Sequence, residues 1–405
     1  MANTDIKWYS SKDLNAPSLP ADWNVLTNVL DACLINGYSS QSFSRVNISD
    51  GVAVATFNTN HSFKQFQVIE ITGSENTTLN KEFKILGVSA TTVEFLIDLP
   101  DAVYTGVMSA RLAPLGWSKP FSDAGRGIYR AKNIEKNPFF LRVDGTKDPS
   151  YTTAYTKFAK VGILESCLGI DDVAGIQAPF NESSPLRNWK SSGDYHGYAK
   201  WKYATIGSEV LYGTEGEQVS AGVRSWILIG DDTSFYLVIN SSLNSLDESV
   251  YGFGSVQTNS TPRPFLLSTL SYDTSGNYYT NSSALVNSAL NWVSCIYDYS
   301  NNIKSSEGFK LITGFSVLSS GSTGNSIKPD PIQGYYLTPY YLLDPTNLIM
   351  GELPIVRCCI NNTAEISNKS YYADSGDIYY VSRYSARRER SLAQGMLFFK
   401  ISGDD

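Results

Sequence analysis

Two pairs of adjacent carboxylates could support acid–base chemistry in this sequence: Asp171-Asp172 and Asp231-Asp232. Glycoside hydrolysis, for example, needs only two carboxyl groups that the fold holds close to the scissile bond. Adjacent side chains on a strand point to opposite faces, however, and Asp231-Asp232 lies where a hairpin turn favours Asp. We therefore interpret both pairs as structural and predict that the chain is not an enzyme.

The two histidines, His61 and His196, add little to this chemistry. A Ser-His-Asp arrangement would have to use one of them, and the Gly-x-Ser-x-Gly turn that presents a nucleophilic serine is absent. His61 has no nearby carboxylate or cysteine partner, which argues against a metal site. The Gly-rich stretch Ser319–Gly324 lacks the lysine that a phosphate-binding loop needs. We predict no catalytic residue, no cofactor and no metal.

Aromatic and basic clusters suggest contacts with other proteins. The Tyr/Trp-rich stretch 189–203 could stack on sugar rings, but its composition is also typical of protein interfaces, which we favour. The aromatic pair in the polar N-terminal arm either docks on a neighbouring subunit or forms a strand of its own domain. The arginines near residue 388 form either a solvated loop or a contact with an acidic neighbour, and packaged DNA is a third alternative. The candidate interface residues are Trp8, Tyr9, Trp189, Tyr195, Tyr198, Trp201, Arg387, Arg388 and Arg390.

The composition favours strands and argues against a nucleic-acid partner. Aromatic residues make up 13% of the chain, with 26 Tyr and 18 Phe, and there are 31 Gly. Aromatic residues favour strands, and Gly favours turns. The formal net charge is −7, whereas nucleic-acid affinity depends on cations that neutralise phosphates.

The five cysteines show neither a Cys-x-x-Cys motif nor a regular spacing, and we predict buried, reduced thiols. Cys358 and Cys359 are adjacent, so they point to opposite faces of a strand and are poor disulfide partners. No window approaches the roughly 20 apolar residues of a membrane span, and the N-terminus has no apolar signal segment. We therefore expect neither a membrane span nor a signal peptide.

The element that organises the chain is a predicted β-hairpin in the middle of the sequence. Arg224–Ile229 and Ser234–Ile239 are apolar after their first residues, and a Gly-Asp-Asp-Thr break separates them. Continuous apolar runs are typical of strands covered on both faces. The glycines of Tyr251–Gly254 would let neighbouring backbones approach closely.

One helix and a small β module precede this hairpin. The spacing of apolar residues predicts a helix over Asp22–Asn36, with Asp22 as its N-cap and Gly37 as its stop. The sheets downstream or another subunit would cover its apolar face. Short alternating runs from Arg45 to Leu112 predict a small barrel or sandwich.

The rest of the chain is predicted to be mainly β. Leu112–Trp117 would be a hinge, Tyr155–Leu168 has partly helical spacing, and residues 181–203 would form a long surface loop or edge. The predicted fold is a small β barrel or sandwich module followed by a larger β-sandwich-like domain, with one N-terminal helix. The corresponding segments are residues 1–44 for the arm and helix, 45–112 for the module, and 113–405 for the larger domain.

Several segments resemble a group of tailed-bacteriophage virion proteins. Val29–Tyr38 (Val-Leu-Asp-Ala-Cys-Leu-Ile-Asn-Gly-Tyr) is similar to the N-terminal helix signature of that group, in which a small β module follows. Ala110–Ser122 is similar to the segment that ends the module. Ile128–Arg130 and Leu141–Asp144 continue the match, and Arg224–Asp231 with Tyr251–Gly254 looks like a second marker.

The resemblance implies a virion structural protein, assembled in the host cytoplasm. Its partners would be copies of itself and other virion proteins, and we favour a tail or neck position. A capsid decoration protein is one alternative. Another is a carbohydrate-binding or depolymerising receptor-binding protein, which would take a host glycan as its partner. The absence of a β-helix repeat argues against that last alternative.

Overall fold

The described residues fold mainly as antiparallel β-sheet in a computed structural model, which confirms the predicted fold class. The structure describes residues 2–149, 151–180, 186, 188–189, 197–206, 216–243, 248–256, 261–270, 295–299, 302–305, 310–313, 337–359, 371–374, 376–388 and 391–403. One α-helix, Leu26–Leu30, continues directly into a π-helical segment, Asp31–Asn36, and a 3-10 turn covers Thr77–Leu79.

The strands are numbered in chain order. Those of the first half are β1 (Lys7–Ser10), β2 (Tyr38–Ser49), β3 (Val52–Phe57), β4 (Val68–Thr72), β5 (Glu82–Lys84), β6 (Gly87–Val88), β7 (Thr92–Leu96), β8 (Ala102–Leu112), β9 (Ser118–Asp123), β10 (Arg126–Arg130), β11 (Phe140–Asp144), β12 (Lys157–Leu164), β13 (Gln177–Ala178) and β14 (Ala199–Ala204). Those of the second half are β15 (Trp226–Gly230), β16 (Phe235–Ile239), β17 (Ser249–Val256), β18 (Arg263–Leu267), β19 (Thr269–Leu270), β20 (Ile296–Tyr299), β21 (Asn302–Ser305), β22 (Lys310–Thr313), β23 (Leu337–Leu343), β24 (Ile349–Cys359), β25 (Tyr371–Asp374), β26 (Asp377–Arg388) and β27 (Ser391–Ser402).

The predicted hairpin lies in the middle of a five-stranded sheet with the order β1-β15-β16-β17-β18. β15 and β16 pair in register from Trp226↔Ile239 to Gly230↔Phe235. Alternate side chains of β16 contribute to two different apolar clusters, one on each face of the sheet. The sheet is therefore covered on both faces, as the continuous apolar runs predicted.

The predicted small module forms a seven-stranded sheet with the order β5-β4-β8-β2-β3-β7-β6. Its first strand begins at Tyr38, inside the segment that the sequence assigned to the arm and helix. One continuous core includes Leu30, Phe95 and Phe253, which come from all three predicted segments. The division into residues 1–44, 45–112 and 113–405 stays a prediction.

Two further sheets flank the central one. One has the order β19-β14-β12-β11-β10-β9, with β13 paired to β12, and it packs into the larger core together with the module. The other has the order β22-β23-β24-β27-β26-β25, and it packs against the opposite face of the central sheet. β20 and β21 form a separate pair.

The N-terminal helix is shorter than predicted. It begins at Leu26 after Val25, which makes no side-chain cap, so the N-cap assigned to Asp22 is wrong. Asn24 adopts a positive φ of 67° and its amide donates to the carbonyl of Gly145, and this tertiary contact prevents an earlier start. The predicted apolar face is fully buried in the chain's own core, at Leu26, Val29, Leu30, Cys33 and Leu34.

Two other expectations are corrected. Tyr155–Leu168, with its helical spacing, contains strand β12. The predicted surface loop at residues 181–203 ends in β14, a buried strand between β12 and β19. Tertiary packing overrides the local pattern in both cases. The hinge at Leu112–Trp117 stays a prediction, and backbone amides of this segment donate to the carbonyls of Cys33 and Leu34.

Candidate functional site

The aromatic pair of the N-terminal arm lies inside the protein. Lys7–Ser10 pairs with β15 as an edge strand of the central sheet, and Trp8 and Tyr9 are 2% and 1% exposed. The two rings enter the cores on opposite faces of that sheet, and the Tyr9 hydroxyl donates to the carbonyl of Ala113 at 2.6 Å. Of the two alternatives, the arm forms a strand of its own chain. The interface role assigned to Trp8 and Tyr9 is thereby corrected.

Three of the interface candidates, which lie in the stretch 189–203, are also buried. Trp201 is fully buried, donates from Nε1 to the Leu267 carbonyl at 2.8 Å, and stacks on Tyr251 with ring centroids 6.1 Å apart. Trp189 donates from Nε1 to Gln177 at 2.7 Å and lies 4.4 Å from the guanidinium of Arg142.

Tyr198 is 4% exposed, and its backbone amide donates to Oδ1 of Asn188 at 2.7 Å. The prediction that Trp189, Tyr198 and Trp201 form a surface interface is therefore corrected, because a buried ring offers no surface to a partner. Lysines alternate with the aromatics in β14, and this polar pattern suggested exposure.

The remaining interface candidates are not brought together at a described surface. Arg387 and Arg388 lie at the end of β26, where their backbones pair with Leu392 and Ser391 of β27. The interpretation of these two positions as a solvated loop is therefore corrected, because they lie at the end of a strand. Tyr195 and Arg390 lie outside the described residues.

The first carboxylate pair has structural partners. Asp171 forms an ion pair with Arg126 at 2.5 Å. Asp172 accepts hydrogen bonds from the backbone amides of Leu168 and Ala174 at 2.7 and 2.9 Å, which shapes its own loop. The two side chains point to different partners, as expected for adjacent residues.

The second pair forms the turn of the central hairpin. Oδ1 of Asp231 accepts hydrogen bonds from the amide and hydroxyl of Thr233 and from the amide of Ser234, each at 2.8 Å. The predicted turn role of Asp231 is confirmed. Burial raises the pKa of Asp231 to about 6, although the hydrogen bonds from Thr233 and Ser234 oppose the shift.

A polar cavity of about 670 Å³ opens beside this turn. Its walls come from five distant segments: the N-terminal arm, the loop before β11, the hairpin turn, the region of β17 and β18, and the C-terminal sheet. The lining residues are Asp5, Ile6, Glu135, Lys136, Asp231, Asp232, Thr233, Ser255, Val256, Pro262, Pro354, Ile355, Arg357, Tyr379 and Lys400. Sequence reasoning missed this site, because nothing in the chain order joins Asp231 to Arg357.

Charges of both signs line the cavity. Arg357 pairs with Glu352 at 2.9 Å, and Lys400 pairs with Asp377 at 3.1 Å. The Tyr379 hydroxyl donates to Asp377 at 3.0 Å, and burial together with this carboxylate raises the Tyr379 pKa above its ordinary value. The cavity wall therefore presents oriented hydrogen-bond donors and acceptors rather than charges of a single sign.

His61 and the buried thiols have structural surroundings, whereas His196 lies outside the described residues, and Cys167, Cys358 and Cys359 are only half-buried, contrary to the prediction. His61 lies beside Phe57 and Phe63 and makes a 2.9 Å hydrogen bond with the Thr92 carbonyl. All five cysteines are free, and Cys33 and Cys295 are buried. Within the described ranges, no group of three or more His, Cys, Asp or Glu side chains could hold a metal ion. The helices described here include none that is long and apolar enough to cross a membrane.

No model of a protein family fits this chain, and no curated protein is significantly similar to it.

Proposed function

We propose that this protein is a structural component of a tailed-phage virion, which assembles through protein–protein contacts in the tail or neck. The proposal rests on the resemblance of Val29–Tyr38 and Ala110–Ser122 to the virion protein group. Its partners would be further copies of the chain and other virion proteins.

The observation that supports the proposal is that these two segments pack directly on each other. The amides of Leu115 and Gly116 donate to the carbonyls of Cys33 and Leu34 at 2.9 and 3.0 Å. The Arg111 guanidinium donates to the Asn36 carbonyl at 2.8 Å. Residues that make these hydrogen bonds stabilise the fold. Proteins that share a signature built from such residues are expected to share an architecture rather than a reaction.

Gly37 joins the two segments most closely. It has a positive φ of 65°, and a Cβ at this position would collide with the backbone oxygen of Leu112. Only glycine satisfies both conditions. The Gly in the signature thus has a physical reason within the chain, and the same reason would apply to any protein with this helix–module junction.

Quantitative mass spectrometry of gradient-purified virions tests the proposal. The known number of capsid proteins calibrates the copy number. A tail or neck component that forms closed rings would be present in about three, six or twelve copies per particle. A copy number comparable to that of the capsid protein would instead identify a decoration protein. Absence from purified particles would refute the structural role altogether.

The receptor-binding alternative is favoured by one observation, the polar cavity beside Asp231. Depolymerisation of a host polysaccharide would require carboxylates that act on a glycan. If that alternative holds, a double variant with Asp231→Asn and Asp232→Asn should have no glycan cleavage. Unchanged cleavage by the double variant would exclude Asp231 and Asp232 as the catalytic carboxylates.

A further inference from the structure

The cavity beside the hairpin turn has the size and position of a small-molecule site. Its volume of about 670 Å³ lies within the range of roughly 300–1,000 Å³ that ligand pockets span. It forms where the N-terminal arm, the central sheet and the C-terminal sheet meet. Ligand sites favour such junctions because several elements can each contribute a side chain.

Among the described residues, one carboxylate oxygen in this cavity accepts no hydrogen bond. All three hydrogen bonds that the turn donates to Asp231 go to Oδ1. Oδ2 accepts no hydrogen bond from the part of the chain that the structure describes. Asp231 lines the cavity, so a ligand hydroxyl can donate a hydrogen bond to Oδ2 there.

The cavity wall also contains a strained residue. Ile355, within β24, has a φ of 69°, which a β-branched side chain rarely adopts. Such conformations persist only where the surrounding structure enforces them, and they cluster at ligand sites. Here the conformation lies between Pro354 and Arg357, both of which line the cavity.

The charges in the wall select the class of ligand. An anion would meet Asp231, Asp232 and Glu135, and a cation would meet Lys136, Arg357 and Lys400. A neutral molecule with many hydroxyl groups avoids both repulsions, because each hydroxyl can donate to a carboxylate and accept from an ammonium or guanidinium group.

Apolar side chains complete the match. Ile6, Val256 and Ile355 lie in the same wall as the charged groups. The carbon-bound hydrogens of a sugar ring form apolar faces that can pack on such residues, while its hydroxyls reach the polar ones. We propose that this cavity binds a short neutral saccharide. This binding role goes beyond the structural role in the particle, and neither depends on the other.

Binding can be tested with the purified full-length protein. A glycan array that carries neutral, acidic and amino oligosaccharides gives the class of ligand, and saturation-transfer NMR with the best neutral glycan gives its affinity. We expect neutral glycans to bind and their acidic and amino counterparts to bind at least tenfold more weakly. If no neutral glycan binds at millimolar concentration, or only charged ones do, the proposal is wrong.

Two variants locate the site. Asp232→Asn removes one cavity carboxylate, and Ile6→Trp fills the cavity without a change of charge. Each should weaken binding at least tenfold. Asp98→Asn is the matched control, because Asp98 is exposed and lies outside the cavity, and it should bind like the wild type. Circular dichroism checks that each variant is folded. Full binding by both folded cavity variants would overturn the assignment, whereas the copy number in virions would be unaffected.

Discussion

The ammonium group of Lys84 donates a 3.0 Å hydrogen bond to the backbone carbonyl of Ile401, and so joins the small module to the last strand of the chain. The same group donates to the carbonyl of Ile6 at 2.7 Å. Lys84 is 3% exposed, so these charge-assisted bonds form away from water. One buried cation thus ties segments near both ends of the chain to the same strand, β5.

Replacing Lys84 should therefore destabilise the whole protein. We expect Lys84→Met to lower the free energy of unfolding by about 2–3 kcal/mol, because two carbonyls lose a charged donor. Urea unfolding followed by tryptophan fluorescence measures the change. Lys12→Met removes the same charge from an exposed side chain and should stay within about 0.5 kcal/mol of the wild type. Equal stability of the two variants would contradict the role of Lys84.

The close packing of the central sheet predicts a cost for one added methyl group. A Cβ on Gly252 would lie 2.8 Å from the backbone oxygen of Phe235, which cannot rotate away. Gly252→Ala should cost about 1–3 kcal/mol through overpacking. A Cβ on Gly169 would meet nothing within 4 Å, so Gly169→Ala should be neutral or slightly stabilising. Thermal unfolding of both variants provides the comparison, and a neutral Gly252→Ala would argue against this packing.

Trp201 distinguishes a core role from an interface role. Its ring is buried and stacks on Tyr251, so Trp201→Ala should cost the isolated protein about 3–5 kcal/mol. Leu168 is 89% exposed, and Leu168→Ala should change stability by less than about 0.5 kcal/mol. If Trp201→Ala left the isolated protein as stable as before and only impaired assembly, the interface prediction would be reinstated.

The buried carboxyl of Asp231 predicts a pH dependence of stability. Its pKa is raised to about 6 in the folded protein, so between pH 4 and 6 the folded state binds more protons than the unfolded state. The contribution of Asp231 to stability is therefore greatest at low pH and falls as the pH rises through this window, by at most about 3 kcal/mol.

Asp231→Asn tests this sign. The amide oxygen can still accept the bonds from Thr233 and Ser234, but it cannot ionise. The variant should gain up to about 3 kcal/mol relative to the wild type at pH 7 and show no advantage near pH 4. Urea unfolding from pH 4 to 8 gives the difference curve. A difference curve that stays flat from pH 4 to 8 would mean that Asp231 does not titrate as described.

The sequence by itself determined the local features of the fold. Apolar runs with a Gly-Asp break determined the central hairpin, since a short polar turn between two such runs leaves few other arrangements. The spacing of Leu26, Val29, Leu30, Cys33 and Leu34 determined which helix face is buried. The turn role of Asp231 followed from its own chemistry, because Asp accepts hydrogen bonds from the backbone two residues on.

Only the tertiary structure decided which polar-looking segments are buried. β12 and β14 carry Lys157, Lys160, Lys200 and Lys202, all of them buried, and lysine in a sequence normally indicates a solvated face. Sheets that pack on both faces bury whole strands, so the lysines that alternate with aromatic residues in β14 do not mark a solvated face. The cavity likewise depends on segments as far apart in the sequence as Ile6 and Lys400. Only tertiary packing brings these segments together, so no local sequence pattern predicts the cavity.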